Sequence, residues 1–271
     1  MIFKLKQEQG GWIVGFGVFA AHVIQPMWLA WDEFDKQNGA ATFTDFHQML
    51  SDIRSKKGKA SDPTGSYEIG CVLLSDPIFF PRDAWIPAPI DWKPQVVQEA
   101  GYDLTSGEGA RIWDHCRQVA AGTRIGNQFM DRGALYSGPR HGKPTLVHPR
   151  MGQGIFRAAV TDAYGRACAV TTEHSLPVLE AAHIRPFAEG GDHELRNGVL
   201  LRTDIHRLFD RGYVSITPEL EFVVSRKLKD EFANGKTYYS LQGRRIHSPR
   251  NKGEQPAAEL LDWHLREKFR G

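Results

Sequence analysis

Between residues 177 and 212 the chain reads PVLEAAHI, RPFAEGGDHELRNG, VLLRT and DIHRLFDRG. Two short aliphatic runs flank a turn-rich stretch. A segment with helical periodicity follows at once, capped by Thr203 and stopped at Gly212. The pattern predicts a strand, loop, strand, helix unit and constrains the fold more than any other part of the sequence. Three residues stand out on it: His183 at the end of the first strand, Asn197 before the second, and His206 on the helix. Phosphodiester hydrolysis needs a base for water, a cation for the phosphoryl oxygens and a group that holds the base in register. Imidazole, with an ordinary pKa near 6.5, is neutral at working pH and suits His183 to the role of base. His206 suits one divalent ion, with phosphate and waters completing the shell. Asn197 does not titrate, which leaves it an orienting task.

The segment EAAHIRPFAEGGDHELRNGVLLRTDIHRLFDRG, with intervals of 14 and 9 residues between the three, resembles the core of an HNH nuclease in the variant without zinc-binding cysteines. The resemblance implies a ββα-metal fold, with His183, Asn197 and His206 as the catalytic trio, and one divalent metal ion (Mg²⁺, Mn²⁺ or Ni²⁺). One departure matters. Many such sequences carry Asp or His just before the first histidine as a metal ligand, whereas this chain has Ala182. The candidates for a second protein ligand beside His206 are Glu180, on the same strand face as Ala182, and Asp204, next to His206. Asp210, four residues after His206, is placed to accept its other imidazole N–H. Each of these acids has the alternative role of a surface carboxylate or helix cap.

At 271 residues the chain is long enough for about two domains. Its 41% hydrophobic and 24% charged content excludes disordered, collagen-like and coiled-coil classes. No apolar run reaches the roughly 18 residues of a membrane span, and MIFKLKQEQGG lacks the apolar core of a signal peptide. A soluble cytoplasmic protein is expected. Cys71, Cys116 and Cys168 are too few and too scattered for a disulfide framework or a CxxC zinc site. Charge is segmental: −4 over residues 1–120, +4 over 121–154, −3 over 155–224 and +5 over 225–271. Acidic blocks followed by basic segments present cations to a polyanion. The loop Arg54–Lys59 and the residues Arg244, Arg245, Arg250 and Lys252 are candidate phosphate contacts.

The first block reads as α+β. In GGWIVGFGVFA, glycines alternate with large apolar residues, as in strands with tight backbone contacts. A helix is expected over Met27–Phe34, and another after the Thr42/Asp45 capping spacing. EIGCVLLS reads as a buried strand, and Thr105 with Glu108 as the cap of a helix running to about Ala120. Further on, GIFRAAVTDAYG reads as a helix, CAVT as a short strand and Pro256–Phe269 as a terminal helix. The expected domains are 1–122, a basic linker over 123–154, and 155–271.

Trp31, Trp85 and Trp92 belong to an aromatic-rich block in which most rings are expected in the core, yet Trp85 and Trp92 lie in a proline-rich irregular stretch. The strings GWIVGFGVFA, PMWLAWDEF, EIGCVLLSDPIFF, WIPAPIDW and GYDLTSGEGARIW resemble an EVE domain, a PUA-like, partly open β-barrel related to readers of methylated bases. That resemblance implies a flipped base held between aromatic faces, with Trp31, Trp85 and Trp92 as walls and Asp91 as an acceptor for an exocyclic amine. An EVE-like reader joined to an HNH nuclease resembles the modification-dependent restriction endonucleases. It implies double-stranded DNA carrying 5-methylcytosine or 5-hydroxymethylcytosine as partner, with no membrane role. A double-strand break would take a homodimer or two separate visits. The rival readings are a modification-independent HNH nickase or structure-specific nuclease, and a non-catalytic reader of modified nucleic acid.

Overall fold

The computed structural model describes residues 1–59, 62, 64–93, 100–121 and 152–271. Nearly all of the expected basic linker over 123–154 lies outside the described residues. By packing, the chain forms two units: Met1–Ala20 with Leu73–Arg150, and Ala21–Val72 with Met151–Gly271. The fold is mixed α and β. Among the described residues no closed barrel is formed, and no helix is long and apolar enough to cross a membrane.

Strands β1 (Ile2–Lys4), β2 (Ile13–Pro26) and β3 (Glu68–Phe79) hydrogen-bond in that order. β1 runs antiparallel to β2, with Ile2 opposite Phe16 and Phe3 opposite Gly15. The glycine alternation in β2 has the steric cause expected from the sequence, since a Cβ on Gly15 would lie 2.2 Å from the Ile78 carbonyl oxygen. Ile13, Phe16, Ile78, Phe80 and Ile86 form a core with Ile112 and Cys116 of helix α3 (Gly107–Ala121). α3 starts one residue later than the capping pattern suggests. Asp103 takes both the amide and the hydroxyl of Thr105, and Glu108 instead accepts the Ile90 amide at 2.8 Å and pairs with Arg111.

In the second unit, α1 occupies Met27–Phe34 as expected, and α2 (Phe43–Lys56) is capped by Thr42, whose hydroxyl accepts the Asp45 amide. Helix α4 (Gln153–Ala163) packs on the hairpin of β4 (Leu179–His183) and β5 (Gly198–Arg202), which runs straight into α5 (Thr203–Asp210). Thr203 is the first residue of α5 rather than its cap, and its hydroxyl donates to the Val178 carbonyl. A second hairpin, β6 (Val214–Ile216) with β7 (Phe222–Val224), is followed by α6 (Lys227–Phe232), α7 (Lys236–Tyr239) and α8 (Ala258–Glu267). The core gathers Phe156 and Val160 of α4, Ala182 of β4, Val199 to Leu201 of β5, and Ile205 and Phe209 of α5.

CAVT (168–171) is a turn, not the expected strand. The Thr172 amide closes onto the Cys168 carbonyl, and Arg166 and Thr172 on either side have φ of 60° and 56°, which an extended strand does not allow.

Candidate active site

β4 and β5 are antiparallel, with His183 opposite Gly198, so the hairpin ends at the first histidine. Asn197 closes a 3-10 turn directly before β5. α5 then buries Ile205 and Phe209 and leaves His206 and Asp210 on the flank beside them. The chain thereby brings His183 and His206 onto the wall of one cavity of about 450 Å³, together with Phe156, Arg157, Asp210 and Lys268. A larger cavity of about 670 Å³, bordered by Tyr164, His174, His247 and Arg250, includes none of the trio.

Asn197 has no exposed surface. Its Oδ1 accepts the Arg185 amide at 2.9 Å, and its Nδ2 donates to the carbonyls of Arg185 at 2.9 Å and Asp192 at 2.8 Å. Its own carbonyl accepts the Ile184 amide. The residue therefore stitches both ends of the 185–192 loop, and its side-chain hydrogen bonds go to backbone groups. The loop closes so tightly that a Cβ on Gly191 would lie 1.9 Å from the Arg185 carbonyl oxygen and 2.9 Å from Asn197 Nδ2. Gly191→Ala is therefore expected to lower stability by about 1–3 kcal/mol, read as a reduced urea midpoint, and to slow DNA cleavage through the displaced loop.

The His183 ring stacks on Phe156 with centroids 3.9 Å apart and planes within 11°. Its Nε2 lies 2.9 Å from Nδ1 of His193. Burial first, then the neighbouring His193 and His206, push its pKa down to about 4, with Asp192 acting weakly the other way. His183 is thus neutral at pH 7, the state a general base requires.

His206 lies between two carboxylates: Nδ1 is 2.7 Å from Glu180 Oε2 and Nε2 is 3.4 Å from Asp210 Oδ2. Asp204 is engaged elsewhere. Its carboxylate takes a two-pronged contact from Arg202 at 2.7 Å per bond and a hydrogen bond from Tyr238 at 3.0 Å, and these hold its pKa below the usual range, Arg202 foremost. Among the described residues no set of three or more His, Cys, Asp or Glu side chains is arranged to hold a metal ion. The donors around His206, one imidazole and carboxylate oxygens, nevertheless suit a divalent ion whose remaining positions are filled by water and phosphate oxygens.

Several residues of the cavity carry no local sequence signal. Arg157 is anchored at 2.8 Å to Glu33 of α1, whose carboxyl is pushed up to about 7 by burial and held back by Arg157. His264, 2% exposed, stacks on Phe209 and sits 2.8 Å from the Ser215 hydroxyl and 3.2 Å from the Phe209 carbonyl. Both of its ring nitrogens are thus satisfied in the neutral form, and burial lowers its pKa to about 4. The folded state binds this proton less readily than the unfolded chain, whose value is near 6.5. The stability that depends on His264 is therefore complete above pH 6.5 and falls as the pH drops towards 4, by up to about 3 kcal/mol. His183 acts in the same direction and Glu33, whose pKa is raised, in the opposite one. Urea midpoints at pH 7.5, 5.5 and 4.5 test this, and His264→Gln is expected to flatten the slope.

The tryptophans named from the sequence each have their own surroundings. Trp31 packs against Phe43 and Phe46 in the second unit, with ring centroids 6.1 and 5.6 Å away. Trp85 is half-buried and donates from Nε1 to the Phe80 carbonyl at 3.2 Å. Trp92 lies under Lys4, 4.5 Å from its ammonium, while Asp91 accepts the Tyr102 hydroxyl at 2.9 Å. In the Arg54–Lys59 segment, Arg54 stacks over Tyr67 at 3.8 Å.

Residues 168–217, which contain His183, Asn197 and His206, match the HNH endonuclease family and form an HNH endonuclease domain. The matched segment supports a nuclease role. No curated protein matches the chain. Among solved structures the chain is similar to a modification-dependent TagI restriction endonuclease, at 22% identity and a TM-score of 0.31, over 43% of this chain and 38% of that one. The chain thus spans well under half the length of that protein.

Proposed function

We propose that the protein is a metal-dependent endodeoxyribonuclease of the modification-dependent restriction kind. A reader within residues 1–122 recruits DNA carrying 5-methylcytosine or 5-hydroxymethylcytosine, and the HNH domain within 155–271 hydrolyses a phosphodiester bond. The observation that carries the nuclease half is the shared cavity of His183 and His206 inside the matched domain. Neutral His183 takes a proton from the attacking water as the new P–O bond forms and the P–O3′ bond breaks, the 3′ oxygen then being protonated from solvent. Arg157 and Lys268, on the same cavity wall, bring positive charge towards the phosphate. Asn197 fixes the loop that follows directly on His183. His206, with Glu180 or Asp210, would hold the divalent ion, and Asp204 is the less favoured partner because Arg202 and Tyr238 occupy it. When bound, the ion supplies charge neutralisation at the phosphoryl and leaving oxygens.

The reader half rests on the sequence resemblance of the first block. Trp85 and Trp92 of the first unit are the proposed stacking residues and Asp91 the edge acceptor, whereas Trp31 packs on Phe43 and Phe46 in the second unit; two base–aromatic contacts of about 1–3 kcal/mol each offset the cost of unstacking. The test is cleavage of matched DNAs carrying cytosine, 5-methylcytosine, 5-hydroxymethylcytosine or glucosylated cytosine, with Mg²⁺, Mn²⁺, Ni²⁺ or EDTA. Cutting confined to a modified substrate and abolished by EDTA supports both halves. Equal cutting of all DNAs removes the reader and leaves a modification-independent nuclease. Binding without cutting under every metal removes the nuclease activity and leaves a reader.

A further inference from the structure

We propose that His193 is a positioning residue of the site: its Nδ1 accepts the hydrogen bond from Nε2–H of His183 and so keeps the His183 lone pair on Nδ1, where water is deprotonated. The inference rests on reading His183 as the general base.

The two rings meet edge to face at 63°, with the nitrogens 2.9 Å apart. A contact between two neutral imidazoles holds one proton and so has two forms. In one, His183 donates from Nε2 and its Nδ1 is bare. In the other, His193 donates from Nδ1, the His183 proton sits on its own Nδ1, and neither ring nitrogen of His183 is left to take a proton from water. Base chemistry therefore requires His193 to be the acceptor. After water gives its proton to Nδ1, the His183 cation still donates to His193 from Nε2, and the extra proton then leaves to solvent. The groups that bear on His183 electrostatically are His193, His206 and Asp192.

His193 is held for this task. Its ring stacks on Phe187 at 5.2 Å and 7°, and it also packs against Phe156, the ring that carries His183. The flanking backbone is pinned on both sides, by Asn197 Nδ2 on the Asp192 carbonyl and by the Asn197 amide on the Glu194 carbonyl at 2.9 Å. Asn197 thus acts on His183 at one remove, through the segment that presents His193. In a serine protease triad, loss of the group that fixes the histidine tautomer costs about 10⁴ in rate. A neutral acceptor in a partly exposed pair is expected to cost about 10²-fold by the same logic.

The experiment compares wild type, His193→Phe, which keeps a ring on Phe187 but no acceptor, and His193→Asn, whose Oδ1 accepts near the position of Nδ1. Long-range ¹H–¹⁵N correlation spectra of the metal-free full chain at pH 7.5 read the His183 tautomer. Single-turnover cleavage of a 5-methylcytosine plasmid with Mn²⁺ reads the rate. Expected are a proton on Nε2 in wild type and His193→Asn, a mixed tautomer in His193→Phe, a rate about 100-fold lower in His193→Phe, and one within about tenfold of wild type in His193→Asn. A wild-type His183 protonated on Nδ1 overturns the proposal, as does His193→Phe with unchanged tautomer and rate. Should His193→Phe not fold, the wild-type and His193→Asn spectra decide. A His183→Ala protein that still cuts overturns the general-base reading itself, whereas an inactive His183→Ala beside a fully active His193→Phe overturns only the role of His193.

Discussion

Replacement of His183 by alanine is expected to lower the single-turnover rate of DNA cleavage by about 10²–10⁴-fold, the span associated with loss of a positioned general base. The effect should be kinetic more than structural. His183 closes the edge of the cavity and is only partly buried, while the core beneath it is formed by Phe156, Val199 and their neighbours. Thermal unfolding of the variant is therefore expected to remain cooperative, and binding to plasmid DNA to persist in a filter or gel assay. Because the pKa of His183 lies at about 4, the base is present throughout the neutral range. The wild-type rate is expected to be flat between pH 6 and 8 as far as this group is concerned, and to decline only where the ring protonates. A rate for His183→Ala within threefold of wild type would sink the mechanism.

Asn197→Asp is expected to be the most destabilising near-isosteric change in the molecule and worse than Asn197→Ala at neutral pH. The aspartate keeps an oxygen for the Arg185 amide. Its second oxygen, however, takes the place of Nδ2 and faces the carbonyls of Arg185 and Asp192 at 2.9 and 2.8 Å in a fully buried position. Alanine leaves three buried backbone groups without their partner and is expected to cost about 2–4 kcal/mol. The carboxylate adds an uncompensated charge, and the Asp variant is expected to lose a further 1–2 kcal/mol or so. Its pKa must rise in the folded state. The extra penalty of Asp over Ala is therefore small near pH 4 and grows as the pH rises through the folded-state value. Urea melts of both variants at pH 4.5 and 7.5 measure this as a difference, which cancels the histidine contributions they share. An Asp variant as stable as the Ala variant at pH 7.5 would overturn the account.

The strand, turn and helix that carry His183, Asn197 and His206 were legible because each is specified locally, by aliphatic runs, glycines and a helical period that stops at Gly212. Glu180 could be named for the same reason, since the two-residue period of a strand put it on a definable face, and it is found 2.7 Å from His206. What escaped was set by partners distant in sequence or by competition between neighbours. His193 lies in a polar loop whose shape depends on a buried amide, and nothing in GGDHELRNG tells which side chain turns inward. A helical period places Asp210, four residues on, beside His206 and turns Asp204, two residues before it, to the far side. What the period does not give is the guanidinium of Arg202 and the hydroxyl of Tyr238 that occupy Asp204 there. Cys168 to Thr171 has the composition of a strand, but the two left-handed residues flanking it make it a turn. The Thr105 cap was lost because Asp103, two residues upstream, takes both its amide and its hydroxyl.

The ion pair between the buried Glu33 carboxylate and the partly exposed Arg157 joins a helix near the start of the chain to one beginning at residue 153, and the fit is close: a Cβ on Gly154 would stand 3.0 Å from the Glu33 carbonyl oxygen. For lineages that exchange parts by recombination, this makes the cutting module no detachable cassette. A crossover near residue 152 that replaced everything upstream would strip α4 of the helix against which it is fitted and leave Arg157 without its counter-charge. A chimaera joined near residue 152 is then expected to keep the stability of the nuclease unit only if residues 21–72 travel with it.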